Sequence, residues 1–324
     1  MKKLLFILLI NCSLLFAQNN WELVYHSDGP APLWALETYG KNIITGAGNN
    51  GFFFISKDTG QTWEEVYIGT DAQLWGISFI DESNIWICGH KGTIIKYDSK
   101  ENKYFDFAID SKYDLKAISF IDNNTGLAGS DNGVVFRTSN GGKTWDSIFF
   151  TQGFKLKKIK MKNSEEGYIL CCPLYVKVAN KNVKNKDSRI YKTFDGGLSW
   201  KILTNINGED INNILFKNDD IWIVGNDGMI IKSSDGGITW EWFKKNFSEH
   251  IWNIYIDNEN LYVVAGWSHF GVGKSSIYNK SIALDFSSEK FPTFMLAGNG
   301  EYLFTEYIDG EIGGFHEIWR KKLK

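Results

Sequence analysis

The stretch DINNILFKNDDIWIVGNDGMIIKSSDGGITWEWF, residues 210–243, alternates short apolar runs with turn sequences. In chain order, NNILF, IWIV, MIIKS and WEWF are typical of strands, and KNDD, GNDG and SDGGIT are typical of the turns between them. Such a unit is a four-stranded antiparallel sheet, which cannot bury both of its faces alone. The unit therefore predicts packing against further copies of itself.

The opening residue of this unit recurs along the whole chain. Seven apolar residues open related segments, first 41 residues apart and then after intervals of 55, 40 and 40: Leu33, Leu74, Leu115, Leu156, Ile211, Ile251 and Phe291. A period near 40 residues is that of a propeller blade with four short strands. The sequence thus predicts an all-β fold, a seven-bladed β-propeller of four-stranded antiparallel blades.

The two ends of the chain complement each other in this pattern. The last unit supplies only three strands, whereas WELVY at 21–25 matches WEEVY at 63–67, the outer strand of the first unit. We expect the N-terminal strand to complete the last blade and to close the ring, which removes two open sheet edges. Residues 18–324 then form a single domain.

The first residues, MKKLLFILLINCSLLFAQ, have the features of an export signal. Two lysines precede a short apolar stretch that Asn11 interrupts, and the small residue Ala17 precedes Gln18. The stretch is too short to span a bilayer comfortably, so it predicts a cleaved signal peptide over residues 1–17, with lipidation of Cys12 as the less favoured alternative. The mature protein is expected to be secreted or periplasmic, monomeric and without a membrane span.

Charge and cysteine content exclude several classes of function. Residues 18–324 contain 33 Lys and Arg against 38 Asp and Glu, and this acidic excess disfavours nucleic-acid binding. Cys88, Cys171 and Cys172 lack the spacing of zinc ligands, and neither a metal site nor a cofactor is predicted. Cys88 lies in an apolar run and should be buried, whereas Cys171 and Cys172 form either a vicinal disulfide or two free thiols.

Four related boxes occupy the predicted turn between the third and fourth strands: SKDTGQTW at 56–63, TSNGGKTW at 138–145, TFDGGLSW at 193–200 and SSDGGITW at 233–240. The acidic side chain can accept N–H groups of its own turn, and the glycines permit positive φ. Asn140 replaces Asp in one box, and Asn cannot act as a general acid or nucleophile. We therefore predict a structural role for the box residues Asp58, Trp63, Asn140, Trp145, Asp195, Trp200, Asp235 and Trp240.

The period, the boxes and the run GNDGMIIKSSDGGITW resemble the bacterial neuraminidase repeat, or Asp-box, propellers. Within these, LKAISFIDNNTGLAGSDNGVVFRTSNGGKTW at 115–145 is similar to the photosystem II stability and assembly factor family. This resemblance implies a non-enzymatic role in the assembly of other proteins. The photosynthetic members use an arginine-containing patch, and sialidases need three converging arginines. With only Arg137, Arg189 and Arg320 in the chain, we expect neither a photosystem role nor sialidase activity.

A ring of side chains is predicted on the face opposite the boxes, at the head of the inner strands. It consists of the residues that follow the opening residues: Trp34, Trp75, Lys116, Lys157, Asn212, Trp252 and Pro292. Indoles and ammonium groups at a channel mouth can hold a sugar, a peptide or an anion, although the same indoles would also suit packing between blades. Loops on this face carry Trp267, His26, His90, His250 and His269.

The fourth unit departs most from the repeat. Its extra residues, CCPLYVKVANKNVKNKDS at 171–188, predict an enlarged loop on the ligand face. Residues 155–192 contain eleven Lys or Arg and three Asp or Glu, a concentration of positive charge that creates a directional field. We expect this unit to dock an acidic protein or an anionic glycan through Lys177, Lys181, Lys184 and Lys186.

The sequence thus favours an exported, non-catalytic binding or assembly module. The alternative is a carbohydrate-active enzyme of the glycoside hydrolase type, which would need a pair of acids over the central channel. Candidate acids on the ligand face are Asp71, Asp110, Asp114, Asp131, Asp227 and Glu249, none of which lies in a motif that selects it.

Overall fold

A computed structural model describes residues 20–27, 33–151, 153–178, 181–184, 187–207, 210–243, 249–266, 270–276, 283–288, 295–308 and 316–323. Its strands form seven four-stranded antiparallel sheets and one two-stranded sheet. The signal peptide predicted over residues 1–17, with Cys12, lies outside the described residues. Within them, no helix has the length and apolar character needed to cross a membrane.

Each sheet runs from an inner to an outer strand. Sheet 1 contains β2 (Leu33–Tyr39), β3 (Ile43–Gly48), β4 (Phe53–Ser56) and β5 (Glu64–Glu65); sheet 2, β6 (Leu74–Phe79), β7 (Asn84–Gly89), β8 (Ile94–Asp98) and β9 (Lys103–Asp106). Sheet 3 contains β10 (Leu115–Phe120), β11 (Gly126–Ser130), β12 (Val134–Thr138) and β13 (Asp146–Phe150); sheet 4, β14 (Phe154–Met161), β15 (Gly167–Pro173), β18 (Ser188–Thr193) and β19 (Lys201–Ile206).

The remaining sheets follow the same order. Sheet 5 contains β20 (Ile211–Lys217), β21 (Asp220–Gly225), β22 (Ile230–Ser233) and β23 (Glu241–Trp242); sheet 6, β24 (Ile251–Ile256), β25 (Asn260–Ala265), β26 (Phe270–Ser276) and β27 (Ala283–Ser288). Sheet 7 contains β28 (Leu296–Gly298), β29 (Tyr302–Ile308), β30 (His316–Lys322) and β1 (Trp21–Ser27). The inner strands contact one another in this order, and β28 contacts β2, which closes the ring of an all-β propeller.

The structure corrects the predicted count of seven blades, because only six four-stranded sheets are blades of the repeating kind. Six sheets are each built from one segment of chain, whereas the closing sheet takes strands from both ends and has an inner strand of three residues. In addition, the insertion in sheet 4 is not a simple loop, because β16 (Tyr175–Val178) and β17 (Lys181–Lys184) pair as a separate hairpin. Pro173 ends β15, and since proline has no N–H, the insertion leaves the parent sheet there and pairs with itself.

The predicted closure by the N-terminal strand is confirmed. Strand β1 pairs antiparallel with β30, from Trp21 opposite Lys321 to Ser27 opposite His316. Trp21 is buried, and the ring of Tyr25 stacks on Phe54 of sheet 1 at 4.9 Å between centroids. The first strand of the domain therefore joins sheet 7 covalently to the chain of sheet 1.

The core is divided among the interfaces between neighbouring sheets. Between sheets 1 and 2, for example, Phe53, Ile77, Ile87 and Tyr97 belong to one buried cluster. Burial of each such side chain contributes about 1.5–3 kcal/mol, so stability depends on every interface in the ring.

The three cysteines of the domain are buried and free. Cys171 and Cys172 are neighbours in β15, so their side chains point to opposite faces of sheet 4, and the vicinal disulfide considered above is wrong. The Cys172 thiol donates to the Ile211 carbonyl at 3.1 Å, and burial raises the pKa of Cys171 to about 12. Cys88 is buried as predicted.

Candidate functional site: the rim of the inner strands

A β-bulge opens the inner strand of sheets 1 to 6. In each, the pairing with the second strand shifts by one residue directly after the opening residue. The unpaired residues are Trp34, Trp75, Lys116, Lys157, Asn212 and Trp252. A bulge releases a residue from the ladder and redirects its side chain, so these six residues form a repeated feature at one end of the ring, which we call the rim.

Between sheets 2 and 3, the rim carries a compact polar and aromatic group. The Lys116 ammonium lies 2.9 Å from the ring centroid of Trp75, a cation–π contact, and the His90 ring meets Trp75 edge-on at 5.8 Å. His90 Nδ1 lies 2.6 Å from Asp114 Oδ1. Burial lowers the pKa of Lys116, an effect that the charges of Asp131 and Asp114 partly offset. These side chains therefore hold one another in place at the rim.

The same backbone arrangement occurs between sheets 5 and 6 with different residues. Lys91 has φ of 54° and donates its N–H to Asp114 Oδ1 at 3.1 Å, and Asp227 has φ of 49° and donates its N–H to His250 Nδ1 at 3.1 Å. The His250 ring meets Trp252 edge-on at 6.0 Å. The Asp227 carboxylate lies near the same nitrogen, with Oδ1 at 3.6 Å from His250 Nδ1.

The other rim residues differ in exposure. Trp34 is 39% exposed, and its Nε1 donates to Asn49 Oδ1 at 2.7 Å. Trp75, Lys157 and Trp252 are half-buried, so none of the three indoles is fully enclosed between sheets. Asn212 is buried and donates to the Ile251 carbonyl at 2.9 Å, an interaction that joins sheets 5 and 6.

For several other predicted site residues, the structure gives only a position in a strand or a single contact. Lys177 lies on β16, and Lys181 and Lys184 lie on β17, so all three belong to the same hairpin. His26 lies 3.3 Å from Glu317 in sheet 7. Trp267, His269, Pro292 and Lys186 lie outside the described residues.

The candidate acids of the enzymatic alternative have structural partners where the structure gives contacts. Asp114 holds His90, Asp110 lies 2.8 Å from Lys112, and Asp227 Oδ1 lies 3.6 Å from His250 Nδ1. A cavity of about 660 Å³ between sheets 1 and 2 is lined by turn residues such as Asp81 and contains none of the candidate acids. Among the described residues, no group of three or more His, Cys, Asp or Glu could hold a metal ion.

The box carboxylates accept hydrogen bonds from their own turns. In the last box, Thr239 N donates to Asp235 Oδ1 at 2.9 Å and Ser233 Oγ donates at 2.8 Å. Asn140 Oδ1 accepts Thr144 N at 3.0 Å in the corresponding place. The side-chain hydrogen bond from Thr239 is the largest of the effects that lower the pKa of Asp235 to about 2, so this group is an ionised acceptor rather than a proton donor.

The boxes also bind the preceding sheet, which the sequence did not lead us to expect. Arg137 Nε donates to the Gly196 carbonyl at 3.1 Å, Lys192 Nζ to the Gly236 carbonyl at 3.1 Å, and Arg320 Nη1 to the Thr59 carbonyl at 2.7 Å. Each cation lies on a third strand, and each carbonyl belongs to the residue after the box acid in the next sheet. Basic residues beside the boxes, as in RTSN and KTFD, are the signal that could have revealed these bonds.

The three arginines therefore make contacts in different parts of the propeller. Arg137 and Arg320 bind box turns of sheets 4 and 1, and Arg189 lies over the ring of Phe154 at 4.3 Å. They do not form the convergent clamp that a sialidase requires.

We expect Asp195→Ala to destabilise the propeller by about 1 kcal/mol, because the turn loses an acceptor for Ser199 N at 2.9 Å and Thr193 Oγ at 2.7 Å. Asp195→Asn should lose less stability than Asp195→Ala, since Asn140 accepts the corresponding hydrogen bond in sheet 3. Urea unfolding of both variants checks this prediction, and equal stability of the two would argue against the turn-acceptor role.

Comparison with known proteins gives matches to β-propellers. A family model described as Photosynthesis system II assembly factor YCF48 matches residues 182–248, and no curated protein matches the chain. The structure titled YCF48 bound to D1 peptide has a TM-score of 0.70 at 15% identity, covering 94% of this chain and 96% of that chain.

Two further solved structures show the same architecture. YCF48 from Cyanidioschyzon merolae has a TM-score of 0.70 at 14% identity, covering 94% of this chain and 98% of that chain. The WD40 β-propeller domain of Doa1 has a TM-score of 0.66 at 12% identity, covering 92% and 96%. The chain is therefore an all-β propeller whose fold is similar to that of photosystem II assembly factors.

Proposed function

We propose that this chain is an exported, non-catalytic propeller that binds a protein partner through the rim and thereby assists assembly. The ring of bulged side chains carries the proposal, because bulges at one end of six sheets present indoles and ammonium groups together. Similarity to YCF48, which is described as bound to a D1 peptide, supports a protein as the partner class.

The rim offers both apolar contact and charge. Trp34, Trp75 and Trp252 combine a large apolar face with a polar N–H, the combination that makes tryptophan frequent at binding surfaces. Lys157 is half-buried at the rim position of sheet 4, and the sequence of the hairpin inserted in that sheet contains Lys177, Lys181 and Lys184. This distribution favours an extended segment with apolar and acidic residues.

Electrostatic attraction would act mainly on the rate and selectivity of binding. Residues 155–192 are strongly basic, whereas the chain as a whole has a net charge of −3. A basic region on an otherwise acidic protein orients an acidic partner towards one blade before contact. An anionic glycan shares this charge and could also stack on the indoles, so the choice of a protein rests on the similarity to YCF48 bound to a D1 peptide.

The test uses a labelled peptide of alternating Glu and Phe, with its Gln and Phe counterpart as the uncharged probe. In fluorescence anisotropy, Trp75→Ala and Lys157→Gln should each weaken binding of the acidic peptide about tenfold. Lys143→Gln, on the box face, is the matched control and should bind like the wild type.

The lysine hairpin is tested separately by the combined variant Lys177→Gln, Lys181→Gln and Lys184→Gln. It should slow association and flatten the salt dependence, while leaving binding at high salt unchanged. Wild-type affinity in the Trp75, Lys157 and hairpin variants would overturn the proposal. Preferential binding of a heparin fragment over the peptide would favour the glycan instead, and a mature mass beginning at Gln18 in the exported fraction would support export.

A further inference from the structure

The four boxes provide an internal comparison of surface side chains on the box face. Three positions can be compared from box to box. They are the residue before the box acid, which is Asn140 in sheet 3, the third residue after this acid, and the second residue after the box tryptophan. Sheet 1 has Lys57, Gln61 and Glu65 there, sheet 3 has Ser139, Lys143 and Ser147, sheet 4 has Phe194, Leu198 and Ile202, and sheet 5 has Ser234, Ile238 and Trp242. Because all four turns make the same hydrogen bonds, folding of the turn does not require apolar residues at these positions.

The apolar side chains of sheets 4 and 5 are exposed. Phe194, Leu198 and Ile238 are 60%, 59% and 80% exposed, and Ile202 and Trp242 are each about half exposed. A single exposed apolar residue is normal, but five on two neighbouring sheets form a patch of the kind found at interaction sites. We call this group the box-face patch.

One buried lysine links the two halves of the patch. Lys192 Nζ lies 4.4 Å from the ring centroid of Phe194 and donates to the Gly236 carbonyl, two residues before Ile238. The same ammonium lies 3.4 Å from Glu166 Oε1 and is almost inaccessible to solvent. The phenyl ring of sheet 4 and the box turn of sheet 5 therefore meet at an ammonium whose charge is already neutralised.

Carboxylates border the patch. Asp195 follows Phe194 in the chain, and Asp235 lies three residues before Ile238 in the neighbouring box. Both act as acceptors for their turns in the ionised state. The exposed side chain of Glu165 adds a further acid, since the Glu165 carbonyl accepts the N–H of Gly196 at 3.0 Å. Exposed Lys201, next to Ile202, and exposed Glu241, next to Trp242, offset each other in charge, so the three acids leave this surface acidic, in contrast to the lysine hairpin.

We propose that the box-face patch is a second docking surface, and that it binds a segment of a partner protein in which apolar and basic residues alternate along one face. Phe194, Leu198 and Ile238 provide the apolar contact, and Asp195 and Asp235 select for positive charge. The patch lies on the opposite end of the propeller from the rim, so one propeller can hold an acidic segment at the rim and a basic, apolar segment here.

The test replaces the apolar residues by the polar types that the other boxes carry: Phe194→Ser, Leu198→Gln and Ile238→Gln together. The probe is a labelled amphipathic peptide of leucine and lysine, and its charge-reversed counterpart of leucine and glutamate is the control. The triple variant should bind the lysine peptide about tenfold more weakly. Its melting temperature should change by no more than about 2 °C, because exposed positions contribute little to stability.

Two further variants separate charge from apolar contact. The double variant Asp195→Asn and Asp235→Asn keeps an acceptor in each turn, as Asn140 does in sheet 3. It should weaken binding of the lysine peptide several-fold, and only at low salt. Trp75→Ala at the rim should leave the affinity for the lysine peptide unchanged, which distinguishes the box-face patch from the rim.

Four results would overturn the proposal. The triple variant binds the lysine peptide like the wild type; the glutamate peptide binds as tightly as the lysine peptide; sedimentation shows a wild-type dimer that the triple variant abolishes; or the wild type co-sediments with phosphatidylcholine and phosphatidylglycerol vesicles and the triple variant does not. The third result would assign the patch to a second copy of the chain, and the fourth to a lipid surface.

Discussion

Removal of residues 18–26 is expected to abolish cooperative unfolding of the propeller. Without β1, the outer edge of sheet 7 loses the pairing from Trp21 opposite Lys321 to His26 opposite Glu317. The deletion also removes buried Trp21 and the stack of Tyr25 on Phe54, which weakens the contact of sheets 7 and 1 where the ring closes. Thermal and urea unfolding followed by tryptophan fluorescence should show a broad, weak transition in place of a single steep one.

The hairpin of sheet 4 provides the matched control for this deletion. Replacement of residues 175–184 by a short glycine–serine linker removes a similar number of residues but no strand of a four-stranded sheet. This variant should melt like the wild type. A synthetic peptide of residues 18–27 should restore a steep transition to the deletion variant, and an unchanged melting curve of the deletion variant would contradict ring closure by β1.

Glu306→Gln is expected to remove a pH dependence of stability. Glu306 lies on β29, is completely buried, and accepts the N–H of Leu33 at 2.7 Å where sheet 7 meets sheet 1. Among the described residues, its second carboxyl oxygen has no hydrogen-bond partner. Burial raises the pKa of Glu306 from 4.5 to about 8, although the hydrogen bond from Leu33 opposes this shift.

The sign of the effect follows from proton binding. The folded protein holds the Glu306 proton more tightly than the unfolded chain, so the free energy of unfolding falls as the pH rises from 4.5 to about 8. The shift corresponds to at most roughly 5 kcal/mol of lost stability above that range. Glutamine keeps an acceptor for Leu33 and carries no charge, so the variant should be more stable than the wild type at alkaline pH.

Urea unfolding at about pH 5 and about pH 8.5 measures this difference. Glu301→Gln is the matched control, because Glu301 is an exposed acid directly before β29, the strand that contains Glu306. Its replacement should leave the pH dependence of the free energy of unfolding unchanged. If the wild type and Glu306→Gln lost the same stability between the two pH values, Glu306 would not be the responsible group.

The sequence predicted the closed ring because closure depends on strand pattern alone. WELVY resembles the outer strand of the first unit, and the last unit ends one strand short, so β1 had one place to pair. It also predicted which residues of sheets 1 to 6 follow the opening residue of the inner strand, since the repeat aligns Trp34, Trp75 and Lys116 in register. Their release by a bulge was not predicted, because a bulge is a shift between two strands and leaves the spacing within each strand unchanged.

Other features depend on contacts between distant residues. The insertion after Pro173 was expected to be a loop, because its lysines and asparagines mask the short strand pairing of β16 with β17. Glu306 lies in YLFTEYI, where one acid in an apolar run gives no sign that it reaches Leu33 across the ring closure. The exposed apolar side chains of sheets 4 and 5 were visible in the boxes, yet their exposure follows only from the three-dimensional fold.

The bonds from Arg137, Lys192 and Arg320 to the boxes of the following sheets change what counts as a unit of this protein. In each of the three bonds, the cation and the carbonyl belong to neighbouring sheets, and the repeat of sheet 4 contains Lys192 of one bond and Gly196 of another. Recombination or design that exchanges whole repeats would separate the two partners of a bond at these three boundaries. The unit that can be exchanged without loss is instead the junction, from the third strand of one sheet to the box turn of the next.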